Sequence, residues 1–338
     1  MLRIGLALIA ICSATTMVVA CSGAVPGGGN GDTEGQSITL RFGHVAGEDA
    51  PYEQALQGFA SDVEAETDGA VVVQTFPGGQ LGGELDMVEQ VETGALEGVV
   101  TSTGVVSAYV PDLAALELPY LFENGDQAHA ALDGELGANL NQQLEREGFV
   151  NLGFWEFGFK NITNSQKPVK SADGMNGLTM RVLENEVLVD TYRALGADPT
   201  PIPFPETYTA LQQGVADGFE GPYINFVDAN LYEVQKYLSE VAINYGAVAF
   251  MVNAKTFDSL SDENQRILRR LGEKWTQRQR EINAETAGEY KQVVEDNGVQ
   301  ILEADDLDLE SFRQATESVY DKHPEFAEIV ELARSSVN

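Results

Sequence analysis

Two cations stand where an apolar strand or an aromatic run ends. Arg181 closes Gly177-Leu178-Thr179-Met180-Arg181-Val182, and Lys160 sits inside Gly158-Phe159-Lys160-Asn161-Ile162-Thr163-Asn164. A guanidinium is a planar fork that meets a carboxylate in two parallel hydrogen bonds, whereas an ammonium is a point charge. The chain has 338 residues, with 53 acidic against 20 basic side chains and a formal net charge of −33. A cation ending an apolar strand in such a chain needs an anionic partner. Two partners are open at this point: the carboxylate of a small ligand held by Arg181, or a structural ion pair with a neighbouring Asp or Glu. An acidic surface repels anions at long range. An anion site must therefore be a local positive pocket, which singles out Lys160 and Arg181. Nucleic acid is excluded as a partner, because phosphate binding needs clustered basic residues.

Other chemistries find no support in the residue types. His44, His129 and His323 are far apart and have no metal-ligand spacing, so no metal is expected. Phosphate-loop, dinucleotide-glycine and nucleophile-elbow patterns are missing, and no cofactor is implied. The cysteines are Cys12 and Cys21, both in the leader region, which leaves no thiol nucleophile and no disulfide for the folded part. No carboxylate pair stands out as an acid–base couple, so no catalytic residue is nominated. His44 ends a strand, where it either approaches a ligand or is a satisfied structural histidine.

These groups must be carried by alternating strands and helices. Ile38–His44 alternates and reads as a strand, and Asp49 and Pro51 open a helix bearing Tyr52, Leu56, Phe59 and Val63 at helical spacing. Val71–Phe76 is the next strand, Leu85, Val88 and Val91 mark a second helix, and 96–102 a third strand. Asp126 is expected to cap one continuous helix whose stripe runs from Ala128 to Leu144. Val150–Phe157 is a strand, 199–205 a proline-rich link, Tyr245–Asn253 a buried strand, and 263–297 a long helix opened by Ser261. The last helix is expected over 312–330. A weak echo links 91–98 to 211–218: helix, glycine, acid–glycine, strand. The echo pairs the preceding strand Val71–Phe76 with Gly177–Val182, and it reads either as chance or as two similar α/β lobes. Ligands of open α/β sheets lie beyond the carboxyl ends of strands. That rule nominates Ser102, Thr103, Glu220 and Tyr223 beside Arg181 and Lys160, and Asn225 is counted with them. Trp155, Phe157 and Phe159 read either as core or, because they precede Lys160, as the source of one pocket wall, with Phe159 the candidate.

The start of the chain reads as a leader. Met1-Leu2-Arg3 is positive, 4–20 is apolar and small, and Cys21 follows Ala20. This is the build of a secretory signal over 1–20, and the cysteine fits lipidation, with a plain signal peptide as the alternative. The apolar run is short of the ~20 residues of a membrane span. Residues 21–37 are rich in Gly and Ser and read as a flexible tether. The expectation is an extracytoplasmic domain, lipid-anchored through Cys21 to the cell membrane.

Several motifs in order resemble one family: the solute-binding proteins of tripartite ATP-independent periplasmic (TRAP) transporters, of the C4-dicarboxylate-binding type. They are Phe76-Pro77-Gly78-Gly79-Gln80-Leu81-Gly82-Gly83-Glu84, Leu118-Pro119-Tyr120-Leu121-Phe122, the stretches around Lys160 and Arg181 quoted above, Leu195-Gly196-Ala197, 208–218 and 232–238. The resemblance runs from about Ile38 to the end of the chain. It implies an α/β, two-lobed periplasmic-binding-protein-like (type II-like) fold with an inter-lobe cleft and a long helix across both lobes. Lobe I would take 38–157 and 247–286, and lobe II 158–246 and 287–338. It also implies a monomer that captures a small organic acid and delivers it to a membrane permease, with Arg181 at the position of the family's carboxylate clamp. Two positions depart from the family. Lys160 stands where arginine is frequent, and Gly221 where asparagine is frequent, leaving room for Tyr223 or a larger ligand to fill. Both leave sugar acids and hydroxy acids open beside plain dicarboxylates. Other readings are a sensory or adhesive lipoprotein that reuses the fold, and an extracytoplasmic lyase or hydrolase.

Overall fold

The first strand forms where alternation places it, as β1 (Ile38–Gly43), with Leu40 and Phe42 fully buried. The structure is a computed structural model and describes residues 37–335. The expected leader, Cys21, nearly all of the tether and residues 336–338 lie outside the described residues.

The elements follow in order as α1 (Pro51–Glu66), β2 (Val71–Phe76), α2 (Glu84–Thr93), β3 (Gly98–Ser102), α3 (Thr103–Val106), α4 (Gly125–Asp133), α5 (Glu135–Arg146), β4 (Phe149–Phe159), β5 (Asn161–Asn164) and β6 (Thr179–Val182). Then come α6 (Glu186–Ala194), β7 (Asp198–Pro201), α7 (Thr207–Gln212), β8 (Gly218–Gly221), α8 (Tyr223–Asp228), β9 (Tyr237–Ser239) and β10 (Tyr245–Asn253). The chain finishes with α9 (Ala254–Asp258), α10 (Asp262–Asp296), β11 (Gln300–Leu302), α11 (Leu309–Lys322) and α12 (Ala327–Ser335).

Two sheets result. One has five strands in the order β2-β1-β3-β10-β4, the other six in the order β11-β9-β5-β8-β6-β7. Within them the same unit occurs twice. The run β1-α1-β2-α2-β3 forms three parallel strands with β1 central, and β6-α6-β7-α7-β8 does the same with β6 central. In each, an antiparallel strand then flanks the third member: β10 beside β3 and β5 beside β8. The echo is therefore structural, and both of its glycines, Gly94 and Gly214, take a positive φ at the helix end, where glycine carries no Cβ penalty. Its pairing of strands needs correction. The counterpart of β2 is β7, which the sequence reads as a proline-rich link. β7 is an edge strand in which Asp198 and the following Ile202 donate to β6's side while Pro199 and Pro201 alternate with them. Proline is tolerated at such an edge because its missing N–H would face away from the ladder.

Caps and breaks also differ locally. Ala50, not Asp49, precedes α1 and makes no side-chain cap, and the side chain of Asn124, not Asp126, accepts from Gln127 N–H at α4. The stripe from Ala128 to Leu144 is split at Gly134, and a Cβ on Gly137 would stand 1.7 Å from the Leu132 carbonyl oxygen. Leu85, read as an apolar marker of α2, is exposed, and Met87 packs in its stead. Pro324 falls between α11 and α12, a break that proline enforces on a helix read as continuous.

Strand β4 leaves the first sheet and continues into β5 of the second, with Lys160 as the single residue between them. The return crossing lies beside it: Lys160 N–H donates to Asn244 and Ile243 N–H donates to Lys160. The 35-residue helix α10 spans both lobes, at about 1.5 Å per residue. Its Leu268 and Leu271 pack with Phe59, Trp155 and Phe250, and its Val294 packs with Leu211, Phe219 and Leu238. Two segments do not keep to the lobes the sequence assigns. Helix α12, at the end of the expected lobe II, packs on α4 and α5, and Ile224 of α8 enters the core around Trp155.

Candidate functional site

Arg181 and Glu220 come from adjacent parallel strands, β6 and β8, and both face a cleft beyond the strands' carboxyl ends. The same cleft receives Val45 and Ala46 after β1, Ser102 at the end of β3, and Leu183 after β6. Glu84, first residue of α2, enters from the first lobe, and Asn225 and Asp228 enter from α8. Phe157, Lys160 and Phe204 close the walls.

The guanidinium of Arg181 is 2 % exposed. Nε donates to the Ile202 carbonyl at 2.8 Å, and Nη1 lies 4.0 Å from Glu220 Oε1, the outer limit of an ion pair. Nη2 is buried and has no hydrogen-bond partner in the protein. The guanidinium carbon lies 5.8 and 5.5 Å from the ring centroids of Phe204 and Phe219, whose own centroids are 6.3 Å apart, so the charge rests against one side of an aromatic pair. Burial pulls the Arg181 pKa below its ordinary value, against the opposing pull of Glu220, Glu84 and Glu184. The arginine is thus neither a well-made ion pair nor a solvated charge. A buried donor without a partner costs about 1–3 kcal/mol, and a carboxylate in the cleft would remove that cost.

Lys160 is differently placed. Its Nζ donates to Glu117 at 2.7 Å and lies 3.5 Å from Glu220 Oε2. Burial pushes the ammonium pKa down, but Glu117 and Glu220 outweigh it and the net shift is upward. Glu117 also accepts from the Asn244 side chain, so the lysine charge is tied into the crossing between lobes. Burial raises the Glu220 pKa, against Lys160 and Arg181.

On the opposite wall, Glu84 Oε1 accepts from Thr101 Oγ1 and from Ser102 N–H, both at 3.0 Å. Asp228 Oδ2 accepts from Gly47 N–H at 3.4 Å, joining α8 to the first lobe. Burial raises the Asp228 pKa to about 6, against the Gly47 N–H and His44.

Arg181, Lys160, Glu220, Ser102 and Asn225 line the cleft, whereas His44, Thr103, Phe159 and Tyr223 do not. His44 is fully buried, its Nε2 bonded to Glu53 at 2.8 Å, and so takes the structural role. The Thr103 hydroxyl donates to the Ala247 carbonyl inside the fold. Phe159 packs edge-on against Tyr245. Tyr223 turns outward and donates to Glu240 at 2.8 Å. The room above Gly221 is taken by Phe219, not Tyr223: a Cβ there would lie 2.3 Å from the Phe219 ring.

Glu84, Asp228, Leu183 and Phe204 escaped the sequence reading, whereas Phe157, one of the three aromatics before Lys160 held open as a wall, lines the cleft in place of Phe159. Glu84 did carry a signal, an acid directly after the Gly82-Gly83 turn and thus in the first turn of a helix. Asp228 carried none, because its place depends on where α8 crosses.

Two lobes of like topology, strand ends converging on one cleft, and a buried arginine with an unused donor define a solute-binding architecture. The family described as bacterial extracellular solute-binding protein, family 7, matches residues 42–326. The chain belongs to that family, the TRAP-transporter type its motifs resemble. It is similar to a TRAP periplasmic solute-binding protein of Polaromonas sp. JS666 bound to D-erythronate (32 % identity, TM-score 0.86, 89 % of this chain and 100 % of that one). It is similar to one from Sulfitobacter sp. NAS-14.1 with bound β-D-galacturonate (30 % identity, TM-score 0.85, 88 % and 99 %). The 2,3-diketo-L-gulonate-binding periplasmic protein of Escherichia coli K12 is 31 % identical over 82 % of this chain and 84 % of its own length.

Proposed function

We propose that the protein captures a small hydroxylated monocarboxylate between its lobes and delivers it to a TRAP-type permease, without chemical turnover. The observation that carries this reading is Arg181: a buried residue of the cleft lining, resting against two aromatic rings, with Nη2 unpartnered. A ligand carboxylate supplies the missing acceptor in the bidentate geometry the fork favours.

Charge balance supports the hydroxylated class over a dicarboxylate. Lys160 is already paired with Glu117 and Glu220, whereas Arg181 Nη2 is a buried cleft nitrogen with no hydrogen-bond partner at all among the described residues. A second carboxylate would face Glu84, Glu220 and Asp228, whereas hydroxyls donate to such groups. The ligands of the two similar structures, an aldonate and a uronate, fit this pattern. Glu84, Asp228 and Asn225 would then read hydroxyls while Arg181 holds the acid, and the domain would act as a monomer anchored through Cys21.

The test is a thermal-shift screen with D-erythronate, D-galacturonate, succinate and an amino acid, each on the native sequence and on Arg181→Ala. A ligand bound by the folded state raises the melting temperature by mass action. Shifts are expected for the hydroxy acids alone and are lost in the variant. A shift for succinate of equal size would move the ligand class back to dicarboxylates. Shifts that ignore Arg181 would remove the clamp. Radiolabelled palmitate incorporation, lost in Cys21→Ser, checks the anchor.

A further inference from the structure

Two buried carboxylates lie beside the cleft cations, and they are held very differently. Glu117 Oε2 accepts from Lys160 Nζ at 2.7 Å and from the Asn244 side chain. Glu220 has no contact of that quality. Its Oε1 lies 3.4 Å from the Leu183 nitrogen and 4.0 Å from Arg181 Nη1. Its Oε2 lies 3.5 Å from Lys160 Nζ and has no hydrogen-bond partner among the described residues. Yet Glu220 is only 3 % exposed. A carboxylate taken out of water stays ionised only where close charges and good hydrogen bonds replace its solvent, and Glu220 stands at the outer reach of both its cations.

The surrounding charges offer it little more. Lys160 is taken up by Glu117. Glu84 of α2 and the exposed Glu184 after β6 also act on Arg181, and Asp228 of α8 lines the same cleft. Tyr192 of α6 feels Glu220 and Glu117, which help push its buried hydroxyl far above the ordinary pKa. Glu84 accepts two hydrogen bonds at 3.0 Å, so Glu220 is the loosely held acid beside Arg181. Burial already raises its pKa against Lys160 and Arg181. A ligand carboxylate on the Arg181 fork would add an anion to this set and compete with Glu220 for Nη1. Where two carboxylates share one buried site, one of them takes a proton.

We propose that Glu220 takes up a proton when an acid binds at Arg181, so that capture of the ionised acid is coupled to proton uptake from solvent. The acid enters as its anion. A proton from water or buffer forms an O–H bond on Glu220, and no bond of the ligand is made or broken. The neutral carboxyl can then donate a hydrogen bond instead of opposing the ligand charge, and Arg181 is left to the ligand. Binding therefore tightens as pH falls through the window between the Glu220 pKa of the bound protein and the lower one of the free protein. The gain is at most about tenfold per pH unit, and affinity is flat on either side. This coupling rests on the proposed carboxylate site.

Calorimetric titration with D-galacturonate in buffers of different ionisation enthalpy counts the protons taken up per ligand bound. Over about pH 5 to 8, where the sugar acid is ionised, the count should reach a clear positive value. In Glu220→Gln the uptake should vanish, and affinity at the alkaline end should exceed the parent's severalfold, because the opposing charge is gone. A purely structural role would instead weaken binding at every pH. Asp228→Asn should keep the uptake. Binding without uptake across the range overturns the coupling, as does uptake that survives Glu220→Gln. Should that variant fail to fold, infrared difference spectra of the parent with and without D-galacturonate decide. A protonated-carboxyl band should appear on binding and move when glutamate is isotope-labelled. No band, or one indifferent to the label, refutes the coupling. Arg181→Ala keeps the two ideas apart. If the parent binds neither D-galacturonate nor D-erythronate, or Arg181→Ala binds them as tightly, the carboxylate site fails and the coupling with it. If they bind through Arg181 without uptake, the coupling alone fails.

Discussion

The two β-α-β-α-β units share an order of strands but divide the work of the cleft. The first is built of six-residue strands β1 and β2 over an aromatic core of Phe42, Phe59, Trp155 and Phe250. It offers the cleft acceptors: Glu84 and the end of β3. The second has four-residue strands β6, β7 and β8 and carries the buried charges, Arg181 and Glu220. The cation therefore sits on the slighter lobe, against the rings of Phe204 and Phe219, and the scaffold lobe presents oxygen. One topology supplies strand ends on both sides. What differs is the polarity of the side chains placed there, and under the proposed function this would direct the acid end of the ligand toward the second lobe.

The largest break in this asymmetry is Arg181. Arg181→Ala should weaken binding of a hydroxy acid by about 100-fold or more, the scale for removing one partner of a buried charge pair. Arg181→Lys should recover only part, since the fork is lost. Calorimetric titration reads both.

Gly221→Asn comes next, because it drives a side chain into the Phe219 ring on which the guanidinium rests. Overpacking of this kind costs about 1–3 kcal/mol, so the melting temperature should fall by several degrees and affinity should fall with it. A variant as stable as the parent would show that Phe219 can yield.

Glu84→Gln tests the oxygen side. The amide keeps an acceptor for Ser102 N–H but removes the charge. Hydroxy-acid affinity should fall roughly tenfold, and succinate, otherwise repelled, should gain. Competition titration with the two acids on one sample would expose an unchanged preference.

Asp228 tests where the lobes meet. Its carboxyl is raised to about 6 by burial, from an unfolded value of about 3.9. Between those values the folded state holds the proton that the unfolded state has released. Stability therefore falls as pH rises from about 4 to about 6 and is flat on either side of that window. Asp228→Asn should be more stable than the parent at pH 7 by about 1–2 kcal/mol and equal to it at pH 3.5. His44 and Asp49, which also act on this group, remain in place in both proteins. Melting temperatures at the two pH values give the answer, and equal differences at both would refute it. The smallest effect belongs to Tyr223→Phe, which should leave affinity within twofold because the hydroxyl serves Glu240 on the outer face.

What was legible in the sequence follows from how local each signal is. The helix–glycine–strand echo was readable because Gly94 and Gly214 answer to the same backbone need, a positive φ at a helix end. Arg181 and Glu220 were readable because strand ends point at clefts. β7 was not, since its prolines mimic a linker and its edge position is decided by β6 rather than by its own residues. The outward turn of Tyr223 and the inward turn of Asp228 depend on how α8 crosses beneath the cleft. His44 lies one residue beyond β1, and its partner Glu53, nine residues on, comes from α1. The tie of Lys160 to Glu117, 43 residues earlier in the chain, is a product of the crossing of β4 into β5.

The most direct test of the central claim is calorimetric titration of D-galacturonate against D-galactose, which differs in having a hydroxymethyl group in place of the carboxylate, with D-erythronate as a second acid. The Arg181 clamp predicts binding of an acid, no measurable binding of the neutral sugar, and loss of the difference in Arg181→Ala. Equal binding of acid and sugar, or an acid bound as tightly without Arg181, would contradict it.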